Sequence, residues 1–253
     1  MTANSVNPRD YEAPAQLLAG HNVLVTGAGA GIGKAAAQTY AAYGATVILL
    51  GRTNNKLEAI YDSIEQADHP LPIIIELDML TAARPDYLAL SDNIAAELGC
   101  LHGLLHNAGI LGERTPIQNA DPQQWLDVMQ VNVNAQMLLT QAMLPLMFEA
   151  ERASIIFTSS GVGRRGRAYW GAYGVSKFAT EGLMQTLAEE LENTSQVRVN
   201  SLNPGRTRTA MRAAAYPAED PATLPTAEDI MPAYLYLMGD DSIGVNGQAL
   251  TAQ

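Results

Sequence analysis

The chain has 253 residues, of which 47% are hydrophobic and 16% charged, and this is typical of one compact domain rather than of a disordered chain. Its formal net charge of -11 argues against nucleic acid or an anionic membrane as a partner, because both would repel most of the surface. The single cysteine, Cys100, excludes an intrachain disulfide, and the four histidines lack ligand-like spacing, so no metal site is predicted.

The beginning of the sequence is polar. Residues 1–19 contain Pro8 and Pro14, and we expect an arm that is either loose or laid across the body, followed by a single domain over residues 20–253. The segment lacks the apolar core of a signal peptide, and no apolar run approaches the roughly 20 residues of a membrane helix. A cytoplasmic location is the expectation.

From His21 onward, short apolar runs alternate with stretches of helical length and spacing. The predicted strands are 23–27, 45–51, 71–77, 101–107, 153–159 and 197–202, and the predicted helices are 31–43, 53–66, 84–98, 121–148 and 173–193. Runs that are apolar throughout are typical of parallel strands covered on both faces. We therefore predict an α/β fold, a Rossmann-type doubly wound parallel sheet of about seven strands, with ligands at the carboxyl ends of the strands.

A glycine-rich turn joins the first strand to its helix. Its spacing is Gly27-x3-Gly31-x-Gly33, which differs from the general G-x-G-x-x-G fingerprint. Glycines let the backbone approach a diphosphate closely, and the following helix offers free amides and a positive dipole end. This placement favours nucleotide binding, and the alternative is a purely structural connector.

The end of the second strand bears on which dinucleotide is bound. NAD sites usually have an acidic residue there, which bonds the ribose hydroxyls. Here the position is Gly51, and the next residue, Arg52, can pair with a 2'-phosphate. NADP(H) is the predicted cofactor, with NAD(H) as the alternative, unless Arg52 is only a solvated loop residue.

The predicted helix 121–148 contains a polar residue on its buried stripe. Asp121, Pro122 and Gln124 predict an N-cap, a first-turn proline and a capping-box glutamine. This polar residue is Asn132, which must find buried hydrogen-bond partners or destabilise the fold by about 1 to 3 kcal/mol. A role in satisfying the backbone is the alternative to a role in chemistry. The stripe follows steps of three and four: Trp125, Val128, Asn132, Ala135, Leu139, Ala142 and Leu146.

A candidate catalytic group follows the fifth strand. Tyr173 and Lys177 are four residues apart and share one helical face, and Ser160 precedes them at the strand end. A nearby ammonium favours the phenolate, so we expect Lys177 to lower the pKa of Tyr173 and make it an acid or base. Ser160 could hold a substrate oxygen against Tyr173. An isolated pair of this spacing is more often an exposed amphipathic pair.

Together these residues resemble the short-chain dehydrogenase/reductase family in its single-domain form, over roughly residues 20–251. Stretches such as FTSSGVGRRGRA and NPGRTRTAMRA look like the bacterial YciK-type oxidoreductases of that family. Two departures stand out, His106 in place of the family's usual asparagine and Ala252-Gln253 in place of Gly-Gly. The matching positions are Thr26 to Gly33, Asn107-Ala108-Gly109, Asn132, Ser160, Tyr173, Lys177 and Asn203-Pro204-Gly205 with Thr209.

The resemblance implies a role for each matching residue. Tyr173 would be the acid/base, Lys177 would bind the nicotinamide ribose, and Ser160 would position the substrate. Asn132 would support a proton-relay water, and Asp78 would meet the adenine. The remaining predicted cofactor contacts are Gly27, Gly31, Ile32, Gly33, Asn107, Ala108, Gly109, Pro204, Gly205 and Thr209.

Basic residues cluster around the predicted cleft, although the chain as a whole is acidic. An anionic substrate guided by arginine is one interpretation. Pairing of these arginines with acids across a subunit interface, or with the cofactor diphosphate, is the other. Residues 206–228 are a candidate flap over the substrate. The arginines are Arg164, Arg165, Arg167, Arg206, Arg208 and Arg212.

The predicted function is hydride transfer between NADP(H) and a small carbonyl or secondary alcohol in a single catalytic, dinucleotide-binding domain. A sensor or scaffold that binds the dinucleotide without turnover is the first alternative, since a fold alone does not set function. Epimerisation or dehydration with a retained nicotinamide is the second. The family resemblance implies a homodimer or homotetramer.

Overall fold

The computed structural model describes residues 7–253 and is organised around one parallel sheet of seven strands. The strand order is β3-β2-β1-β4-β5-β6-β7, so the chain starts in the middle and winds outward in both directions. This confirms the predicted Rossmann-type sheet. The strands are β1 Asn22–Thr26, β2 Thr46–Gly51, β3 Ile73–Glu76, β4 Gly103–His106, β5 Ala153–Thr158, β6 Val197–Asn203 and β7 Ala249–Thr251.

Helices cover both faces of the sheet, and alternate strand residues enter two separate cores. On β1, Val23 and Val25 pack with the first, second and last helices, whereas Leu24 packs with helices on the opposite face. All three side chains are fully buried, which explains why the run lacks polar alternation. The helices are α1 Gly31–Ala42, α2 Asn54–Gln66, α3 Arg84–Leu98, α4 Pro122–Met129, α5 Ala135–Phe148, α6 Gly171–Leu191, α7 Ala210–Ala215 and α8 Met231–Met238.

The helix predicted over 121–148 is divided by a π-helical turn at Gln130–Asn134, which contains Asn132. A π turn admits an extra residue into the helix, and such turns are frequent at functional sites. Asp121 caps α4 as predicted, because its Oδ1 accepts from the Gln123 amide at 2.9 Å. The predicted capping-box bond from the Asp121 amide to the Gln124 side chain is absent, and Gln124 Nε2 donates to Glu113 Oε1 instead.

Strand β7 falls outside the six predicted strand ranges. It is three residues long and partly exposed, so it has no apolar run to mark it. Parallel pairing with β6 places Ala249 beside Ser201 and Thr251 beside Asn203. Tertiary pairing therefore determines this strand.

The described part of the predicted arm, residues 7–19, lies across the body, and residues 1–6 lie outside the described residues. The Tyr11 hydroxyl donates to Asp241 Oδ2 at 2.7 Å, and its ring packs edge-on against Tyr236 at 5.3 Å between centroids. Leu18 is fully buried. Between residues 7 and 253, the helices are too short or too polar to cross a membrane.

Candidate active site

A cleft of about 420 Å³ opens at the carboxyl ends of the strands, on both sides of the point where the strand order reverses. Sheets of this type bind ligands at this position. Two predicted site residues, Gly33 and Asn132, lie behind the cleft wall. The predicted residues that line it are Gly27, Gly31, Ile32, Arg52, Asp78, Asn107, Ala108, Gly109, Ser160, Tyr173, Lys177, Pro204, Gly205 and Thr209.

The glycine turn forms the wall nearest to β1. Gly27 and Gly31 have φ of 68° and 54°, a backbone conformation that favours glycine. A Cβ at Gly33 would lie 2.2 Å from the Gly27 carbonyl oxygen and 2.6 Å from Asn107 Nδ2. Gly33 therefore lets α1 pack against the turn, while Gly27 and Gly31 face the cleft.

Thr26 joins the turn to the neighbouring strand. Its Oγ1 accepts from the amides of Asn107 at 2.9 Å and Ala108 at 3.0 Å, and it donates to the Leu105 carbonyl at 3.2 Å. The Asn107 side chain donates back to the Thr26 carbonyl at 3.2 Å. The ends of β1 and β4 are thus locked together.

Two cations lie at the far end of the same wall. Arg52, after β2, is exposed and lines the cleft, and Lys56 on α2 lines it beside Arg52. The sequence prediction did not include Lys56, although its position in the first turn of α2 could have suggested it. Asp78 follows β3, where its Oδ1 accepts from the Leu80 amide at 3.0 Å.

Ser160, Tyr173 and Lys177 meet in the middle of the cleft. Lys177 is only 3% exposed, and its Nζ donates to the Thr158 carbonyl at 2.7 Å. The same Nζ lies 5.7 Å from the centroid of the Tyr173 ring. Ser160 also lines the cleft, and its hydroxyl acts to lower the pKa of Tyr173.

The pKa values of this group differ from the expectation. Burial raises the pKa of Tyr173 to about 12, against the opposing hydrogen bond from Ser160. Burial also lowers the pKa of Lys177 to about 8, against the opposing charge of Glu181. The pKa of Tyr173 therefore shifts upward, contrary to the expected lowering by Lys177, because desolvation of the phenolate is the largest effect on it.

Asn132 is fully buried, and its side chain is satisfied by the protein. Its Oδ1 accepts from the Ile110 amide at 2.9 Å, and its Nδ2 donates to the Ile110 carbonyl and to Ser176 Oγ, both at 3.0 Å. The two bonds to Ile110 satisfy backbone groups, as expected if Asn132 has a structural role. The bond to Ser176 links the π turn to α6 between Tyr173 and Lys177.

His106 lies under the cleft as a core residue. It is fully buried, stacks on Phe157 at 4.6 Å between centroids, and its Nε2 lies 2.8 Å from Thr140 Oγ1. Burial lowers its pKa to about 3, with a smaller effect of the Lys177 charge. The imidazole is therefore neutral at physiological pH.

Gln253 contacts the loop that follows β6. Its amide donates to the Pro204 carbonyl at 2.7 Å and to Thr207 Oγ1 at 3.2 Å. A Cβ at Gly205, where φ is 74°, would lie 2.7 Å from the Gln253 side chain. This residue, noted in the sequence only as a departure from Gly-Gly, therefore supports the cleft loop.

Arg114, which the sequence does not mark, packs against Trp170, a residue that lines the other end of the cleft. The Arg114 guanidinium lies 4.7 Å from the Trp170 ring centroid and 5.0 Å from that of Tyr216. It also donates to the Ala215 carbonyl. Trp170 in turn lies 5.7 Å from Tyr173. No sequence signal marks Arg114, because its partners are more than 50 residues away along the chain.

Four of the six clustered arginines contact groups of their own chain, a possibility outside the two interpretations considered above. Arg212 pairs with both oxygens of Glu219 at 2.6 and 2.7 Å, and Arg206 approaches the same carboxylate at 3.8 Å. Arg208 donates to the carbonyls of Pro221 and Leu224, and so folds the candidate flap 206–228 on itself. Arg164 contacts Glu181, whereas Arg165 and Arg167 are exposed.

Within residues 7–253, no cluster of three His, Cys, Asp or Glu side chains is arranged for a metal.

Comparison with known proteins agrees with this geometry. A family model described as short chain dehydrogenase matches residues 21–220. The chain is 53% identical over 243 residues to the uncharacterized oxidoreductase YciK of Escherichia coli K12, with 96% of each chain covered.

Two similar crystal structures contain a dinucleotide. One, described as a short chain dehydrogenase of Shigella flexneri 2a complexed with NADP, is 52% identical with a TM-score of 0.93, covering 95% of this chain and 100% of that one. The other, from Escherichia coli CFT073 and complexed with NADPH, is 54% identical with a TM-score of 0.92 and the same coverage. By its sequence and its fold, this chain belongs to the short chain dehydrogenase family of oxidoreductases.

Proposed function

We propose that this protein transfers a hydride between NADP(H) and a small carbonyl compound or the corresponding secondary alcohol. The observation that carries the proposal is the meeting of Ser160, Tyr173 and Lys177 in one cleft with the glycine turn. A tyrosine hydroxyl, a second hydroxyl and a buried ammonium are the groups needed to hold and protonate a carbonyl oxygen.

The residues around the cleft fit an NADP(H) molecule. Gly27 and Gly31 leave room for a diphosphate at the start of α1, and Arg52 with Lys56 offers positive charge where a 2'-phosphate would lie. Position 51, where an acidic residue would repel that phosphate, is a glycine. The NADP and NADPH complexes of the two similar structures support the same cofactor.

The chemistry divides between the cofactor and three side chains. When bound, NADPH supplies the hydride to the carbonyl carbon. Tyr173 donates its proton to the oxygen of that carbonyl, and Ser160 holds the same oxygen by a hydrogen bond. A phenol with a pKa of about 12 carries its proton at neutral pH, which is the form required for reduction. The Lys177 ammonium stabilises the phenolate that remains until solvent returns the proton.

We propose a small uncharged substrate in preference to an anionic one. Leu111, Trp170 and Ala215 give the substrate end of the cleft an apolar wall. Arg212, which also lines the cleft, is occupied by Glu219. Turnover of a neutral ketone compared with its carboxylated analogue distinguishes the two, because an anion-binding site would favour the analogue.

A non-catalytic sensor or scaffold is the alternative function. A non-catalytic protein would need no buried hydroxyl and ammonium beside the dinucleotide, so the presence of both groups argues against this alternative. Oxidation of NADPH in the presence of aldehydes, ketones, quinones and 3-ketoacyl thioesters tests the proposal. We expect turnover of at least one class, and a loss of kcat of about 100-fold to 10,000-fold in Tyr173→Phe with NADPH affinity retained. A broad panel without turnover would favour the sensor.

Assembly and location remain proposals as well. We propose a cytoplasmic homodimer or homotetramer, as the family membership leads us to expect. Sedimentation of the purified protein measures the first directly, and a monomer at micromolar concentration would contradict it.

A further inference from the structure

We propose that Glu181, which lies outside the predicted catalytic set, is a positioning residue for the reaction: it anchors the loop that carries Ser160 and holds a negative charge behind Lys177. The inference rests on the proposed function, because it assigns Glu181 a part in the same proton transfer.

Glu181 lies on the same face of α6 as the two predicted catalytic residues. Tyr173, Lys177 and Glu181 are spaced four residues apart, so each is one helical turn beyond the last. Glu181 is only 6% exposed. A buried carboxylate is strongly unfavourable unless hydrogen bonds or cations satisfy it, so its partners show what it does.

The carboxylate of Glu181 accepts three hydrogen bonds from two separate segments. Ser159 Oγ donates to Oε1 at 2.5 Å, and Arg164 Nε donates to the same oxygen at 3.1 Å. Ser201 Oγ on β6 donates to Oε2 at 2.7 Å. Glu181 therefore joins α6 to β6 and to both ends of the segment 159–164.

That segment determines where Ser160 lies. Ser159 is its immediate neighbour, and the Thr158 carbonyl before it accepts from Lys177 Nζ. On the other side, Arg164 Nη2 donates to the Leu250 carbonyl at 2.7 Å. Because Ser159 and Arg164 share one carboxylate oxygen, the loop carrying Ser160 is held at both ends by Glu181.

The charge of Glu181 also acts on Lys177. The groups facing Lys177 are Tyr173 and Glu181 on its own helix, His106 from β4 and the Thr158 carbonyl from β5. Among these, Glu181 is the acid that raises the pKa of Lys177 against the effect of burial, and His106 is neutral. Without the Glu181 charge, Lys177 would lose its proton at a lower pH.

The experiment compares Glu181→Gln with Glu189→Gln, which makes the same change at an exposed position of the same helix. The chain contains three lysines, Lys34, Lys56 and Lys177, so carbon-13 NMR of labelled lysine follows Lys177 in the cofactor-free protein. We expect its titration to move to lower pH in Glu181→Gln and to stay unchanged in Glu189→Gln.

Kinetics provide the second measurement. We expect Glu181→Gln to lower kcat by about tenfold, because the Ser160 loop loses its anchor. The alkaline decline of kcat should begin at lower pH, since Lys177 is deprotonated earlier. Glu181→Asp keeps the charge but shortens the reach, so it should restore the pH profile more fully than kcat. If Glu181→Gln does not fold, Glu181→Asp carries the test, and a kcat equal to that of the wild type would overturn the inference.

The two proposals fail in different ways. An unchanged Lys177 titration and kcat profile in folded Glu181→Gln would overturn the positioning role, even if Tyr173→Phe is inactive. Full activity of Tyr173→Phe would instead overturn the proposed function. A drop in thermal stability alone, with the Lys177 titration and the pH profile unmoved, would make Glu181 merely structural and would also overturn the inference.

Discussion

The two ends of the cleft are built in different ways. At the cofactor end, much of the wall is backbone, namely the glycine turn, Asn107 to Gly109 and the ends of β1, β2 and β4, with Arg52 and Lys56 at its far edge. At the substrate end, the wall includes the side chains of Leu111 and Trp170, and Arg114 packs behind it against the rings of Trp170 and Tyr216. One end depends on atoms common to all residues and the other on particular side chains brought together from distant loops.

This difference affects what a substitution can do. At Gly27 and Gly33 of the cofactor end, an added Cβ meets backbone atoms that cannot move away, so small changes there should have large effects. At the substrate end, a lost side chain removes contacts worth about 0.5 to 2 kcal/mol each, and the loops can adjust. Three substitutions test this contrast, from the largest expected effect to the smallest.

Gly33→Ala should have the largest effect. Its Cβ would lie 2.2 Å from the Gly27 carbonyl oxygen, so α1 must move away from the turn. We expect a loss of about 1 to 3 kcal/mol in unfolding free energy and of about 100-fold in NADPH affinity. Chemical denaturation and fluorescence titration measure both.

The matched control is Gly182→Ala on α6, where an added Cβ meets nothing within 4 Å. Alanine favours a helix over glycine by roughly 0.5 to 1 kcal/mol, so this variant should be as stable as the parent or more so. Equal behaviour of the two variants would mean that the turn at Gly33 is not rigid.

Arg52→Ala should have an intermediate and selective effect. Its guanidinium is exposed at the cofactor end and is proposed to contact only the 2'-phosphate, so we expect NADPH affinity to fall about tenfold and NADH affinity to stay unchanged. Arg84→Ala, which removes an exposed arginine outside the cleft, is the control. Unchanged NADPH binding in Arg52→Ala would make Arg52 a solvated loop residue.

Arg114→Met should have the smallest effect, confined to the substrate end. The substitution removes the charge that lies against the rings of Trp170 and Tyr216 while keeping an unbranched apolar stem. We expect KM for the carbonyl substrate to rise about threefold to tenfold, with NADPH affinity unchanged. Steady-state kinetics beside the exposed-site control Arg9→Met measure the difference. A change in NADPH affinity would show that the two ends of the cleft are coupled.

Several features of the site could be predicted from the sequence because they depend on local spacing. Gly27 and Gly31 adopt the positive φ that a sharp turn requires, and Tyr173 with Lys177 shares a helical face through a separation of four residues. The π turn at Gln130–Asn134 could not be predicted, because the apolar stripe that passes through it follows ordinary helical steps. Only the contacts of Asn132 with Ile110 and Ser176 show what this turn does in the fold.

By itself, the sequence determined the parallel sheet, the glycine turn and the residues of the candidate catalytic group, because hydrophobic periodicity and short spacings act within one or two elements. Tertiary structure alone decided strand β7, the Arg114 stack, the Glu181 anchor and the direction of the Tyr173 pKa shift. Each of these depends on burial or on partners from separate segments. No local pattern records how deeply a phenol is buried or which distant side chain lies beside it.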